Sequence, residues 1–408
     1  VTAPRAAYLH IPFCQRRCLY CDFAVVPLGD HADGANSGSI AAYLPLLQAE
    51  IAASPNPAPL STVYIGGGTP SLLTPRQMEG VLDGLRQRFG FAPGAEITLE
   101  MDPASFDRPR LEGMLALGIN RVSLGGQSFD DGVLERLGRR HRRQDLLQAA
   151  GWLREALAAG DLASWSLDLI QGLPEQDLSH WRQQLLQALE LGPPHLSVYD
   201  LIVEPGTVFE RLQQRGQLPL PDPDLGADLM DLTGEQLRSA GYGRYEISNY
   251  ALPGHASRHN RVYWSGAGWW GFGLGATSAP YGQRLARPRT REAYAAWLQS
   301  RAASPPAGRP PFDEWLMVGL RRREGVNLER LARAAGLSTA GCASLHASMA
   351  PWRERGLLLV EGRRWRLADP RGLALSNAVL RELLAWWDDH QPQEVPLPLA
   401  GSPIAASP

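Results

Sequence analysis

Three of the four cysteines in this 408-residue chain fall within one loop-sized stretch, as Cys14-x3-Cys18-x2-Cys21. Thiolates are soft ligands that select zinc or iron–sulfur centres. A closed structural zinc site takes four ligands, often as two separated pairs, and the fourth cysteine, Cys342, lies far along the chain. Three thiolates from one loop would leave a cubane [4Fe–4S] cluster with one iron that has no protein ligand. Such an iron can take a small chelating molecule and pass it one electron. A fully ligated cluster mainly stores or relays charge.

Other reactive or polar residues follow short β-rich segments. Gly66-Gly67-Gly68-Thr69-Pro70 comes directly after Thr62–Ile65. Its glycines permit close backbone approach to a ligand and are expected to expose peptide donors. The segment lacks the Lys-Ser/Thr ending of a phosphate-binding loop, so ATP is a poor reading. Glu100 and Gln127 follow the third and fourth β-rich segments, Asp168 lies within the fifth, and Glu204 lies beyond the sixth.

The elements that must position these residues are read from periodicity. The β-rich segments are Tyr8–Ile11, Thr62–Ile65, Ile97–Leu99, Arg121–Leu124, Ser166–Ile170 and Leu196–Leu201. Helical patterns at Met78–Phe89, Leu111–Leu117, Leu146–Leu157 and Trp181–Leu191 separate them. Alternating strand and helix describe βα units around a parallel sheet. Six such units suit a partial or complete barrel, whose strand ends converge on one face. Beyond them come a helix over Asp222–Ala240, an aromatic segment rich in glycine and a proline-rich linker, Ala302–Pro311. From Phe312, short helices precede a hairpin turning at Glu361-Gly362, the pattern of a winged-helix-like module.

Composition excludes several classes. Forty Lys and Arg against 42 Asp and Glu leave a formal charge of -2, without the basic footprint of a general nucleic-acid binder. The run of ~18 apolar residues that a membrane span needs is absent. The N-terminal sequence has no signal-peptide core. Four cysteines cannot frame a disulfide scaffold. Free clustered thiols need a reducing compartment, so the expected location is the cytoplasm or its equivalent.

C-x3-C-x2-C with Tyr20 before the last cysteine resembles the signature of the radical S-adenosylmethionine (SAM) superfamily. YLHIPFCQRRCLYCDF, YIGGGTPSLL, SLGGQSFDD, DLIQGLP, SVYDLIVEPGT, YEISNY and HNRVYW narrow it further. They are similar to the branch that holds oxygen-independent coproporphyrinogen III oxidase and the HemW haem chaperones. The likeness spans roughly residues 8–390. It implies an α/β fold, a partial (β/α)6 TIM-like barrel with a C-terminal helical, winged-helix-like domain. The implied layout is a cluster-bearing core over residues 1–240, a barrel extension with the HNxxYW segment over 241–304, the winged-helix-like domain over 305–390, and a disordered tail over 391–408.

The same resemblance implies cofactors and site residues. Cys14, Cys18 and Cys21 would hold a [4Fe–4S] cluster whose free iron binds the methionine amine and carboxylate of SAM. Electron transfer to the sulfonium would then yield a 5′-deoxyadenosyl radical. Gly67, Gly68 and Thr69 would hold the methionine amino group. Tyr8, Tyr20, Glu100, Gln127, Arg139 and Asp168 fall where the family's other cofactor contacts fall, with Arg140 the alternative to Arg139. Carboxylates there suit an amine or ribose hydroxyls, and an arginine suits a carboxylate.

Two positions separate the branch members. The oxidase carries a further cysteine two residues after the third ligand, where this chain has Phe23. It also carries a substantial N-terminal extension, whereas seven residues precede Tyr8 here. His259-Asn260-x2-Tyr263-Trp264 matches a HemW motif, in which His259 could ligate haem iron and the aromatics could stack on the macrocycle. Packing or hydrogen bonding is the alternative for His259. The leading expectation is a haem chaperone that passes haem to an acceptor such as a membrane respiratory protein. Coproporphyrinogen III oxidation is the runner-up, and a cluster-dependent DNA-binding regulator is the third reading. Whether SAM is cleaved, whether the chain dimerises and whether it touches a membrane surface stay open at this level.

Overall fold

The computed structural model describes residues 3–55, 58–300 and 312–391. The expected linker Ala302–Pro311 and, beyond Gln391, the expected tail lie outside the described residues. Six parallel strands follow one another across the central sheet: β1 (Ala6–Ile11), β2 (Leu60–Gly67), β3 (Phe91–Met101), β4 (Arg121–Gln127), β5 (Ser164–Gln171) and β6 (His195–Asp200). Three short strands extend its edges: β7 (Gly243–Arg244), β8 (Asn249–Ala251) and β9 (Trp270–Phe272). The spatial order is β9-β1-β2-β3-β4-β5-β6-β8-β7, in which β9 pairs parallel to β1 while β8 runs antiparallel to β6. The two edge strands do not pair with each other, so the barrel is incomplete.

Side chains alternate across a strand, and here the alternation separates two chemistries. One face of β2 to β6 carries Val63, Ile65, Leu99, Val122, Leu124, Leu167, Leu169 and Val198, all part of the large core shared with the helices. The alternate positions carry Tyr64, Glu100, Ser123, Asp168 and Tyr199. The sheet register aligns several of them, pairing Glu100 with Ser123 and Asp168 with Ser197. The interior of this barrel is therefore polar, whereas the layers that fill a closed TIM barrel are bulky and apolar.

The crossover helices start and stop where local chemistry dictates. Helix Pro75–Arg88 opens on a capping box between Thr74 and Gln77, with Pro75 at its first position, where a missing N–H costs nothing. Asp107, Asp177 and Asp222 cap the helices that begin at Arg108, Leu178 and Pro223. Gly160 and Gly192 end helices Arg143–Ala159 and Leu178–Leu191 in the left-handed conformation, which glycine adopts without a Cβ penalty.

A second hydrophobic core begins at Phe312 and is built from Leu316, Leu320, Leu345, Trp365, Leu383 and their neighbours. Helices Phe312–Leu320, Leu328–Ala334, Thr339–Ser348 and Ala350–Glu354 precede the hairpin of Leu358–Glu361 with Arg364–Leu367. Val326–Asn327 adds a third strand to that hairpin. Among the described residues, no helix is long and apolar enough to cross a membrane.

Candidate cluster and cofactor site

The cysteine loop leaves β1 and is tied back at several points. Phe13 and Cys14 form a two-residue parallel bridge with Val26 and Pro27, closing the loop at its base. Leu19 N–H donates to the Leu137 carbonyl at 3.0 Å, and the Leu19 carbonyl accepts from Val208 and Phe209. His10 Nε2 bonds the Ala24 carbonyl at 2.9 Å, while His10 Nδ1 bonds the Tyr8 hydroxyl at 2.9 Å. A segment with little internal regular structure is thus held by its neighbours rather than by itself.

The loop borders a cavity of about 430 Å³ at the carboxyl ends of the strands. Cys14, Cys18, Tyr20 and Cys21 line one side of it. Gly67, Gly68 and Thr69 come from the end of β2, Glu100 from β3, Gln127 from β4 and Asp168 from β5. Arg139 and Arg140 complete the wall. The described residues contain no group of three His, Cys, Asp or Glu that converges on one metal ion. A cubane is ligated at separate corners, so its thiolates need not converge on a point.

The donor set fits such a cluster. A Cβ at Gly68 would lie 2.6 Å from the Phe13 carbonyl and 2.9 Å from Cys14 Sγ, so only glycine lets the two segments approach this closely. The Thr69 side chain bonds the Cys14 thiol, and Arg139 Nη1 donates to Cys18 Sγ at 3.7 Å. Burial pushes the Cys14 thiol up to about 12, with the Thr69 bond acting in the opposite direction. A metal that binds this sulfur must displace its proton.

The glycine segment differs from expectation in one respect. Its amides do not point free into the cavity. Gly67 N–H donates to Glu100 Oε2 at 2.9 Å, Gly68 N–H to the Ile11 carbonyl at 2.8 Å and Thr69 N–H to the Phe13 carbonyl at 2.7 Å. The peptide donors anchor the loop, which leaves acceptors to meet an ammonium group. Glu100 Oε1 also accepts from the Tyr64 hydroxyl at 2.8 Å. Burial pushes its carboxyl up to about 7, against the pull of those two donors.

The other polar residues are held by specific neighbours. Asp168 accepts from Ser123 Oγ at 2.8 Å and Ser166 Oγ at 3.3 Å, and burial raises its pKa. Gln127 has a φ of 63°, the left-handed region, at a register shift between β4 and β5. Strain of that kind in a non-glycine residue clusters at ligand sites. Arg139 is less free than expected. Its Nη2 donates to Asp102 Oδ2 at 2.6 Å and to the Gly125 carbonyl at 2.9 Å. Arg140 Nη1 is buried and has no hydrogen-bond partner among the described residues.

Comparison with known proteins places the chain in a family. The model of the radical SAM superfamily matches residues 8–183. The heme chaperone HemW of Synechocystis is 41% identical over 406 residues, covering 94% of this chain and 97% of the relative. The chain belongs to the HemW family. Heme chaperone HemW of Escherichia coli is 39% identical, over 71% of this chain and 74% of the relative. The mitochondrial radical S-adenosyl methionine domain-containing protein 1 of Bos taurus is 33% identical, over 96% and 90%. Among solved structures, coproporphyrinogen III oxidase (HemN) from Escherichia coli superposes with a TM-score of 0.75 at 22% identity, covering 93% of this chain and 90% of that one. That likeness speaks for the fold.

Two expected site residues of this HemW-family chain lie elsewhere. Tyr8 does not line the cluster cavity; it borders a second, aromatic cavity and stacks on Tyr64 at 6.2 Å between ring centroids. His259 is completely buried, and its ring nitrogens are both engaged, Nδ1 with Thr62 Oγ1 at 3.0 Å and Nε2 with the Tyr263 hydroxyl at 2.9 Å. Burial holds its pKa down at about 3. Both ring nitrogens face hydroxyl partners, so an iron would have to displace one of these two hydrogen bonds. Cys342, expected to be a bystander, packs against the second core.

Sequence reasoning missed Tyr64, Asp102 and Tyr199. Asp102 stands two residues after Glu100 and Tyr64 two before Gly66, so period-two spacing along the strands was a signal that could have found them.

Proposed function

We propose that this protein binds haem and passes it to acceptor proteins, and that a [4Fe–4S] cluster and SAM occupy the cavity beside the cysteine loop. The observation that carries the reading is near-full-length identity of 41% to a protein described as a heme chaperone, with 97% of that relative covered. Phe23 agrees with it. It lies on the cavity wall, 53% exposed, where the resembling oxidases carry another cysteine.

Cys14, Cys18 and Cys21 would hold the cluster, and when bound the cluster supplies one-electron reduction of a chelating ligand. Arg139 keeps a positive charge against the Cys18 sulfur, and Asp102 holds that guanidinium in place. Glu100 and Asp168 offer carboxylate oxygens at the strand ends, and Arg140 adds a cation to the same wall. Three clustered thiols need a reducing location, such as the cytoplasm, to stay available as ligands.

The reading is tested by purifying the protein anaerobically with a reconstituted cluster and measuring haem binding and coproporphyrinogen turnover in parallel. Stoichiometric haem uptake and its transfer to an apo-haemoprotein, without decarboxylation, is the expected result. Catalytic formation of protoporphyrinogen overturns it.

A further inference from the structure

A further cavity, of about 630 Å³, opens between the end of β6, helix Pro223–Ser239 and the C-terminal module. Its lining is mainly apolar, with Leu201, Leu220, Met230, Leu357 and Leu375 among the contributors. Leu375 is 42% exposed. An exposed leucine beside an apolar hollow is the mark of a surface that another molecule covers. Asp200 and Leu201 line the cluster cavity as well, so the groove runs up to its rim.

Charge along the groove is one-sided. Asp224, Asp228, Asp231 and Glu235 recur at helical spacing on helix Pro223–Ser239, which places them on one face. None of the four has an ion-pair partner among the described residues. Their face adjoins the side of the helix that carries Pro223, Ala227 and Met230 into the groove, and Asp231 itself joins the lining. Asp200, which accepts from Gln171, and Asp222, which caps the helix, add further carboxylates. The cations are Arg371 on the opposite wall and Arg238 in the last turn of the helix. From Asp224 to Glu235 the acidic stripe runs about 16 Å, at 1.5 Å per residue. That length suits an elongated partner element better than a small ligand.

We propose that this groove receives an amphipathic helix of a partner protein that bears lysine or arginine beside its apolar face. The apolar side chains enter the hollow between Met230 and Leu375, and the cations lie along the acidic stripe. The same carboxylates repel an anionic membrane surface or a nucleic acid, whose charge has their sign. They also disfavour the chain's own residues 392–408, which contain no Lys or Arg. Docking brings the partner to the rim of the cluster cavity. Taking that partner as the haem acceptor rests on the chaperone reading above; the groove itself does not.

The test follows the fluorescence anisotropy of a labelled Leu/Lys amphipathic peptide, about four turns long, as the full-length, cluster-loaded protein is added. A Leu/Glu peptide of the same pattern and a Lys peptide with serine in place of leucine are the comparisons. The Leu/Lys peptide should bind at least about tenfold more tightly than either. Asp224→Asn, Asp228→Asn and Asp231→Asn combined should weaken its binding at least about tenfold and flatten its salt dependence. Ala227→Arg, at an exposed position, should weaken it similarly by filling the groove with a like charge. If both variants match the unaltered protein within about twofold, or the serine peptide binds equally well, the groove is not a docking site. Binding that appears only after residues 392–408 are removed assigns the groove to that segment and also overturns the proposal. The peptides carry no haem, so peptide binding by a protein that takes up no haem leaves the groove standing and removes only the chaperone reading.

Discussion

Arg139 Nη1 lies 3.7 Å from Cys18 Sγ, joining a residue just past helix Asp131–Arg136 to the middle of the cysteine loop. The same guanidinium is fixed by Asp102, so the cation cannot swing away from the sulfur without breaking an ion pair that is only 13% and 20% exposed. Burial pushes the Asp102 carboxyl up, but Arg139 and His141 outweigh it and hold the group well below the usual carboxylate range.

Arg139→Gln should therefore cost about 3 kcal/mol of stability at neutral pH, because it leaves a largely buried carboxylate unpaired. The sign with pH follows from the depressed pKa of Asp102. Its contribution is present above the unfolded value of about 3.9 and is lost as pH falls through the folded value. The deficit measured by urea denaturation should be full at pH 7 and shrink below about pH 4. A constant deficit across that range contradicts the pairing. In the cluster-loaded protein, loss of the positive charge should also lower the reduction potential of the cluster, read by a redox titration.

Glu100 titrates in the opposite sense. Its folded pKa of about 7 lies above the unfolded value, so its contribution is most favourable below about pH 4.3 and is lost as pH rises through about 7. Glu100→Gln removes that dependence. The melting temperature of the cluster-free variant, relative to the unaltered protein, should rise by about 3 °C between pH 5 and pH 8. A difference that stays flat with pH removes Glu100 as the titrating group.

Gly68→Ala and Gly84→Ala form a contrasting pair. At Gly68 the new Cβ meets backbone and a cluster-loop sulfur at under 3 Å, and backbone cannot yield cheaply. The expected cost is about 1–3 kcal/mol, together with loss of bound iron on reconstitution. At Gly84, inside helix Pro75–Arg88, nothing lies within 4 Å of the new atom. That change should stabilise the protein by about 0.5–1 kcal/mol. Calorimetry and iron analysis check both, and equal behaviour of the two variants refutes the packing argument.

His259→Ala should behave as a packing variant. Removing a buried ring and two hydrogen bonds is expected to cost about 2–4 kcal/mol. Because both imidazole nitrogens are engaged with Thr62 and Tyr263, the Soret maximum of the haem complex should keep its position even if affinity falls. A shifted maximum, the mark of a changed axial ligand, would restore the ligand role.

Much of this protein was legible in its residues alone. The spacing of Cys14, Cys18 and Cys21 pointed to an iron–sulfur site, and the alternation of short β-rich and helical stretches supplied six parallel strands in order. Both are local signals, set by ligand spacing and by hydrophobic period. Three features depended on tertiary contact. Gly67, Gly68 and Thr69 carry the expected residue types, yet their amides anchor the loop, because Ile11, Phe13 and Glu100 stand opposite them. His259 has the chemistry of a haem ligand, but Thr62, nearly two hundred residues away, takes one of its nitrogens. Arg321, just past helix Phe312–Leu320, lines a cavity that Tyr8 of β1, Tyr199 of β6 and the segment 260–284 also border. Residue type and spacing determined which groups could do chemistry; the pairing of distant side chains decided which of them remained free to do it.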